Sequence, residues 1–320
     1  MRIFPTKFTK LNFSSTDRTV YYNKQDGRYS LSNYTTATYN ENDRENTTKM
    51  VYSNRTFFFR KDLPWQSLAM YISKQFREVD KVNVYNFACS DGSEAYSLAI
   101  ALIMRYGEEG AKKFFPIRAS DIDKNIIEQA QKGIIKATSM DMVKLESNIF
   151  KPKTIQDFFE VERNFENNDF PYTLHPKKIL TDNVEFKCES IEQGLDDVEK
   201  SNSLILARNF WRYLSAEELA NASMKLRKNI DNSSRIIIGE FDKIGDALST
   251  SYGHSSYGDN LPMFLRHLGF RPADLDICNP YDSVLKINEY HDSIFLHEPD
   301  LWVEQVKQDY KDYRLPYGVN

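Results

Sequence analysis

The 320-residue chain is 41% hydrophobic and 28% charged, an ordinary globular balance with enough apolar material for one large α/β body and appendages. Its net charge of −4 gives no basic footprint for nucleic acid, and its longest apolar run, Leu98 to Met104, falls far short of the ~20 residues a membrane span needs. Three scattered cysteines (Cys89, Cys188, Cys278) and five histidines lack paired ligand spacing, so neither a disulfide framework nor a metal site is expected.

Charge begins at Arg2 with no apolar block behind it, so no signal peptide is read and a cytoplasmic location is expected. Residues 1–60 hold ten Lys/Arg against five Asp/Glu, a net of +5, which leaves −9 for the rest of the chain. Such an arm is either a steering surface for an acidic partner or a solvated segment on a negative body. Residues 1–50 are rich in Tyr, Thr, Asn and Ser without a helical period, and read as an extended or irregular arm with a hairpin around Asp26-Gly27.

From Phe57 the pattern alternates short apolar runs with amphipathic stretches, the signature of βαβ units and a mainly parallel sheet. A helix is predicted from Leu63 to Gln75, a first strand from Val82 to Cys89 and a helix from Glu94 to Tyr106. A second strand follows from Pro116 to Ser120, then a helix capped near Asp123 that stops at Gly133. Residues 134–182 break the alternation and read as an inserted subdomain, with a helix near Thr154 to Val161 and weak strand signals from Tyr172 to Leu180. Strands then return at Val184 to Cys188, Leu204 to Ala207 and Arg235 to Gly239, with a helix from Glu217 to Asn229. A closing hairpin is expected from Ser283 to Ile287 and Ser293 to Leu296, and a polar helix from Trp302 to Tyr313.

In open α/β sheets ligands sit beyond the carboxyl ends of the strands, at the switch point. Here the turn after the first strand is Ser90-Asp91-Gly92-Ser93-Glu94, with one glycine for close backbone approach and a helix N-terminus offering N–H groups behind it. One glycine is fewer than the three of the dinucleotide fingerprint, which argues against a dehydrogenase. Asp121, ending the second strand, places a carboxylate where it accepts both hydroxyls of a ribose; Asp123 reads as the cap of the next helix.

Together these pieces resemble the CheR-type S-adenosylmethionine-dependent methyltransferases, the chemotaxis receptor glutamate methyltransferase family. The likeness rests on six ordered motifs: residues 54–60 (NRTFFFR), 88–99 (ACSDGSEAYSLA), 119–123 (ASDID), 130–133 (AQKG), 184–186 (VEF) and 207–213 (ARNFWRY). It implies a Rossmann-like class I methyltransferase sheet, mainly parallel with a closing antiparallel strand, helices on both faces and a small inserted subdomain. The corresponding domains are an arm (1–50), a methyltransferase body (51–298, insertion about 134–182) and a helical tail (299–320).

The resemblance also implies an S-adenosyl-L-methionine site whose product is S-adenosyl-L-homocysteine. Asn54, Thr56 and Arg60 would border the methionine end, Ala88 and Gly92 the turn, and Glu94 the cofactor's cationic amino-acid portion. Asp121 would take the ribose, Ser190 and Ile191 the adenine, and Asn209 and Phe210 would adjoin the cofactor. Arg60 and Tyr213 would be the catalytic pair facing the methyl group. The acceptor implied is a protein carboxylate, glutamate. A small-molecule or other protein acceptor, or a non-catalytic cofactor-binding interaction module, are the alternatives.

The chain departs from the family where Thr and Glu-Glu-Pro flank the glycine (here Asp91 and Ser93-Glu94-Ala95), and where an Asn is replaced by Ser190. A Gly-His-Ser-Glu pattern is replaced by Gly239-Glu240-Phe241-Asp242. With no glycine between Gly133 and Gly194, docking of a receptor's C-terminal pentapeptide on the insertion is not expected.

Overall fold

The computed structural model describes residues 56–313 except 165–166, 168, 212–213, 240–241, 243–262, 274–283, 289–290 and 292. In the arm it describes the backbone of 10–11, 19–23, 28–32, 34–36 and 51–53. The chain divides into two units, residues 1–56 with 319–320, and residues 57–318.

In the first unit, β1 (Lys10–Leu11), β2 (Thr19–Asn23) and β3 (Arg28–Ser32) form an antiparallel sheet, and β4 (Tyr34–Thr36) pairs with β5 (Val51–Ser53). Asn23 lies opposite Arg28, so β2 and β3 make the hairpin expected around Asp26-Gly27; its loop is outside the described residues.

The second unit begins with α1 (Trp65–Gln75) and β6 (Asn83–Phe87). Helix α2 (Ser93–Ala111) follows, its helical geometry broken at Gly107 (φ 72°), where a residue with a Cβ would be strained. Then come β7 (Ile117–Asp121) and α3 (Lys124–Gln131), capped as expected by Asp123, whose carboxylate accepts from Asn125 N (2.9 Å) and Ile126 N (3.4 Å).

The insertion comprises β8 (Ile135–Ala137), α4 (Ser139–Asn148), α5 (Ile155–Phe158), β9 (Phe159–Arg163) and β10 (Tyr172–Pro176). Its three strands form a separate antiparallel sheet in the order β8-β10-β9. The helix expected from Thr154 to Val161 is therefore only one turn before the chain extends. The strand expected to Leu180 stops at Pro176 and turns into α6 (Lys178–Thr181), because a proline ring cannot donate to the ladder.

Beyond the insertion lie β11 (Val184–Cys188), α7 (Ile191–Asp196), β12 (Ser203–Ala207), α8 (Ala216–Asn229) and β13 (Arg235–Ile237). The last elements are α9 (Met263–His267), β14 (Phe270–Pro272), β15 (Val284–Ile287), α10 (Ile294–His297) and α11 (Pro299–Tyr313). The sheet runs β11-β7-β6-β12-β13-β15-β14, parallel from β11 to β13, with β15 antiparallel to both neighbours. The strand expected from Ser293 to Leu296 is instead α10, where Ser293 Oγ accepts from Phe295 N; β14 takes its place beside β15.

Alternation along the central strands builds two cores. Val84, Leu204, Leu206, Ile237 and Val284 face one, with Leu68 and Ile72 of α1, Leu98 and Leu102 of α2 and the insertion's Phe158 and Leu174. Tyr85, Phe87, Ile205, Ile236 and Leu285 face the other, with Leu195 of α7 and Leu219 and Leu226 of α8. Helix α11 belongs to that second core. Polar in composition, it nevertheless buries Trp302 and Val306 against α8, and the Trp302 indole N–H donates to Ala220 O (3.0 Å) and Ser223 Oγ (3.2 Å).

Removing that indole opens a cavity and leaves the Ala220 carbonyl without this donor. Trp302→Ala is expected to lower stability by about 3–5 kcal/mol, read by urea unfolding followed by circular dichroism.

Candidate active site

Going out from the centre of the sheet, β6 leads to β7 and β11 on one side, while β12 and β13 lie on the other. The switch point is therefore at the carboxyl ends of β6 and β12. The turn leaving β6 is left-handed at three of five positions: Ala88 (φ 53°), Ser90 (φ 54°) and Gly92 (φ 87°). Only glycine fits the last, because a Cβ there would lie 2.6 Å from the Phe186 ring. Backbone hydrogen bonds hold the turn: Cys89 N donates to Ser120 O (2.9 Å), and Ser90 N to Asp121 Oδ2 (2.9 Å).

Asp121 also accepts from Asp123 N through Oδ1 (3.0 Å) and is only 8% exposed. Burial pushes its carboxyl above the usual aspartate range, while the backbone N–H groups of Asp123 and Ser90 oppose the shift. Next to it Ile122 is 64% exposed, an apolar side chain at the mouth that the sequence reading passed over. Glu189 N donates to Asp121 O (3.0 Å), which ties the end of β11 to the same edge. Ser190 follows it, but its hydroxyl caps α7 by accepting from Gln193 N (3.3 Å), while Gln193 Oε1 accepts from Ser190 N (2.9 Å). Ile191 packs against the second core.

The N–H groups at the start of α2 are less open than the sequence suggested. Asp91 Oδ1 accepts from both Ser93 N (3.0 Å) and Ser93 Oγ (2.7 Å), so Asp91 turns back onto the helix. Glu94 is likewise engaged. Oε1 accepts from Asn86 Nδ2 (3.0 Å), and Oε2 pairs with Nη1 of Arg208, whose side chain is fully buried. The other guanidinium arm, Nη2, reaches Asp62 Oδ1 at 2.9 Å. Burial opposes the Arg208 charge, yet Glu94 and Asp62 outweigh it and raise its pKa.

This network gathers the remaining loops. Arg60 Nε lies 3.5 Å from Asp62 Oδ1, and Asn209 Nδ2 donates to Asp62 Oδ2 (3.4 Å). Asn209 is left-handed (φ 61°), and its N–H donates to Asp242 Oδ2, which also accepts from Gly239 N (2.9 Å). A Cβ on Gly239 would sit 2.1 Å from Asn209 Oδ1, so the glycine after β13 makes room for that side chain. Phe58 N donates to Asp141 of α4 (3.2 Å), Phe59 N to Ser97 Oγ of α2 (2.9 Å), and the Trp65 indole to Arg60 O (3.0 Å).

The structure thus joins Arg60, Glu94 and Asn209 in one network, and Gly92 and Asp121 in one turn. The two meet around Cys89, a buried thiol pushed well up by burial and by the nearby charges of Asp121, Asp91 and Glu94. Phe210 stacks on Trp211 (4.8 Å between centroids) and belongs to the second core. Asn54 and Tyr213 lie outside the described residues, and Thr56 closes the first unit. The sequence reading missed Arg208 and Asp62 as partners, although both fall within or beside the motifs it singled out. Among the described residues no group of three or more His, Cys, Asp or Glu is placed to hold a metal, and no helix is long and apolar enough to cross a membrane.

This sheet order and a carboxylate at the switch point define a Rossmann-like, class I methyltransferase fold. Residues 54–256 match the family described as CheR methyltransferase, SAM binding domain, and the chain belongs to that family of S-adenosylmethionine-dependent methyltransferases. It is similar to the chemotaxis protein methyltransferase of Campylobacter jejuni, 23% identical over 208 residues that cover 64% of this chain and 70% of the relative. It is also similar to that of Listeria monocytogenes, 25% identical over 199 residues, covering 61% of this chain and 67% of the relative. Among solved structures it is similar to PKMT2 from Rickettsia typhi in complex with AdoHcy, at 16% identity and a TM-score of 0.33, covering 63% of this chain and 31% of that one.

Two outcomes are expected. The Asp121 carboxyl should titrate above about 3.9, the ordinary aspartate value, when followed by carboxyl carbon NMR. Because the folded state holds this proton more tightly than the unfolded chain, Asp121 supports the fold at acid pH. That contribution is lost as pH rises through the folded-state midpoint. Arg208→Met should lower stability by about 3–5 kcal/mol in urea unfolding, because it strands two buried carboxylates.

Proposed function

We propose that this methyltransferase transfers the methyl group of S-adenosyl-L-methionine to a protein carboxylate, most simply a glutamate side chain, in the cytoplasm. The observation that carries the reading is the Asp121 carboxylate, held at the switch point by Ser90 N and Asp123 N within the span that matches the family. The relatives that share this span are named chemotaxis protein methyltransferases, which supports a protein acceptor. The body is residues 51–298, with the arm 1–50, the insertion 134–182 and the tail 299–320 around it.

The residues present fit the cofactor. The Asp121 carboxylate accepts backbone N–H groups of Ser90, Asp123 and Ile122, which leaves acceptor capacity on its two oxygens for a ribose hydroxyl. The exposed Ile122, with Ile191 beyond Ser190, offers apolar surface for a purine next to that carboxylate. Glu94, shared with Arg208 and Asn86, is the carboxylate assigned to the cofactor's cationic amino-acid portion. When bound, the cofactor supplies a sulfonium methyl group already activated toward a nucleophile.

The chain then has to orient the acceptor oxygen in line and keep water out. Arg60 suits the first task. Its Nε lies 3.5 Å from Asp62 Oδ1, which orients a planar guanidinium whose fork matches carboxylate geometry. Tyr213 is assigned the second hydrogen bond to the acceptor.

Calorimetry with S-adenosylhomocysteine tests the reading. Asp121→Ala should weaken binding about tenfold or more, the loss of a charge-assisted hydrogen bond. Arg60→Ala and Tyr213→Phe should cut labelled-methyl transfer to lysate proteins far more than they weaken S-adenosylhomocysteine binding. The label should be released by base, as a carboxyl ester is. No heat at high micromolar ligand would overturn the cofactor assignment, and base-stable label the carboxylate acceptor.

A further inference from the structure

The insertion brings a lysine to the methyl end of the site. Helix α4 is anchored there by Asp141, which caps its own helix and also accepts from Phe58 N. One turn further on, the Lys144 ammonium lies 4.8 Å from the centre of the Phe57 ring, half-buried. Burial draws its pKa down, Asp141 and Asp62 oppose this, and Arg60 and Lys61 add to it, so Arg60 and Lys61 are its cationic neighbours.

Both nearby carboxylates are committed elsewhere. Asp141 accepts from Phe58 N, Thr138 N (3.0 Å) and Thr138 Oγ1 (2.7 Å), and Asp62 takes Arg208, Arg60 and Asn209. Among the described residues, no carboxylate is within ion-pairing distance of Lys144 Nζ. A desolvated ammonium over an aromatic face, flanked by Arg60 and Lys61, is chemistry for an anion. The same helix exposes Met140 (61%) and Val143 (57%), so the surface suits an acidic peptide with apolar neighbours better than a bare anion.

We infer that Lys144 is a specificity-determining residue that reads the carboxylates of an acidic acceptor peptide on its way to Arg60. This rests on the reading of residues 57–60 as the methyl end. The selection is electrostatic: a carboxylate gains the Lys144 and Arg60 charges, whereas its amide counterpart gains neither.

The test uses the full chain saturated with S-adenosylhomocysteine and two fluorescein-labelled helical peptides of Ala and Leu. One carries paired Glu residues and the other Gln at the same positions. By anisotropy at low salt, the wild type should prefer the Glu peptide about fivefold or more, Lys144→Met should reduce that preference to within about twofold, and Lys144→Arg should keep it. Lys112→Met, which removes an exposed lysine elsewhere, should behave as wild type, and cofactor-product affinity should be unchanged in all variants. A preference that survives in Lys144→Met, or one absent in the wild type while homocysteine-product binding is normal, overturns the inference alone. Loss of product binding by the wild type would instead overturn the site on which it rests.

Discussion

A single buried guanidinium organises this site. Taking Arg208 out of water costs several kcal/mol, and the offset comes from two carboxylates, Glu94 and Asp62, each on its own arm of the fork. Arg60 beside Asp62 brings the set of four to neutrality. What the pairing provides beyond charge balance is position. Glu94 heads α2, Asn86 lies near the end of β6, Asp62 follows the motif at residues 54–60, and Asn209 leaves β12, so the hydrogen bonds tie four segments to one another at the switch point. A lysine, with a point charge and no fixed fork, does not hold two carboxylates at set directions in this way.

Strain gathers where that network supplies the restraint. Of the five described non-glycine residues with positive φ, four (Phe59, Ala88, Ser90 and Asn209) lie in the loops that border the switch point. Each costs on the order of 1–3 kcal/mol and persists only where its surroundings over-determine it. The restraints are visible: Phe59 N on Ser97, Ser90 N on Asp121, and Asn209 N on Asp242. Gly239 and Gly92 serve the same end by omission, one leaving space for Asn209 and the other for Phe186. The backbone is thereby set before any ligand arrives, which is the condition for placing a reacting methyl group to a fraction of an ångström.

The centre of the sheet was legible because a central parallel strand is apolar on both faces: Leu204 to Ala207 missed only Ser203. Val184 to Cys188, at the sheet's edge and largely exposed, coincided with its strand through its alternation alone. The misreadings fell where pattern is weakest. Ser293 to Leu296 is too short to tell one helical turn from a strand, and the serine that looked like a strand start is a cap. Helix α4, capped by Thr138 and Asp141, was not among the predicted elements. Asp121 stood out as a carboxylate ending a strand, but pairings across 114 and 146 residues, such as Arg208 with Glu94 and Asp62, leave no local trace. The reading of Glu94 as a group turned toward a ligand missed its partners for the same reason.

The anchoring of α4 links the two halves of the chemistry. Asp141 accepts from the backbone N–H of Phe58, two residues before Arg60, which ties the helix that carries Lys144 to the segment that carries Arg60. In the proposed reaction, an acceptor that engages α4 would be held near Arg60 by that tie. The sheet and the Arg208 network would fix where the methyl group is delivered in that reaction, and the charges around Lys144 would select what receives it.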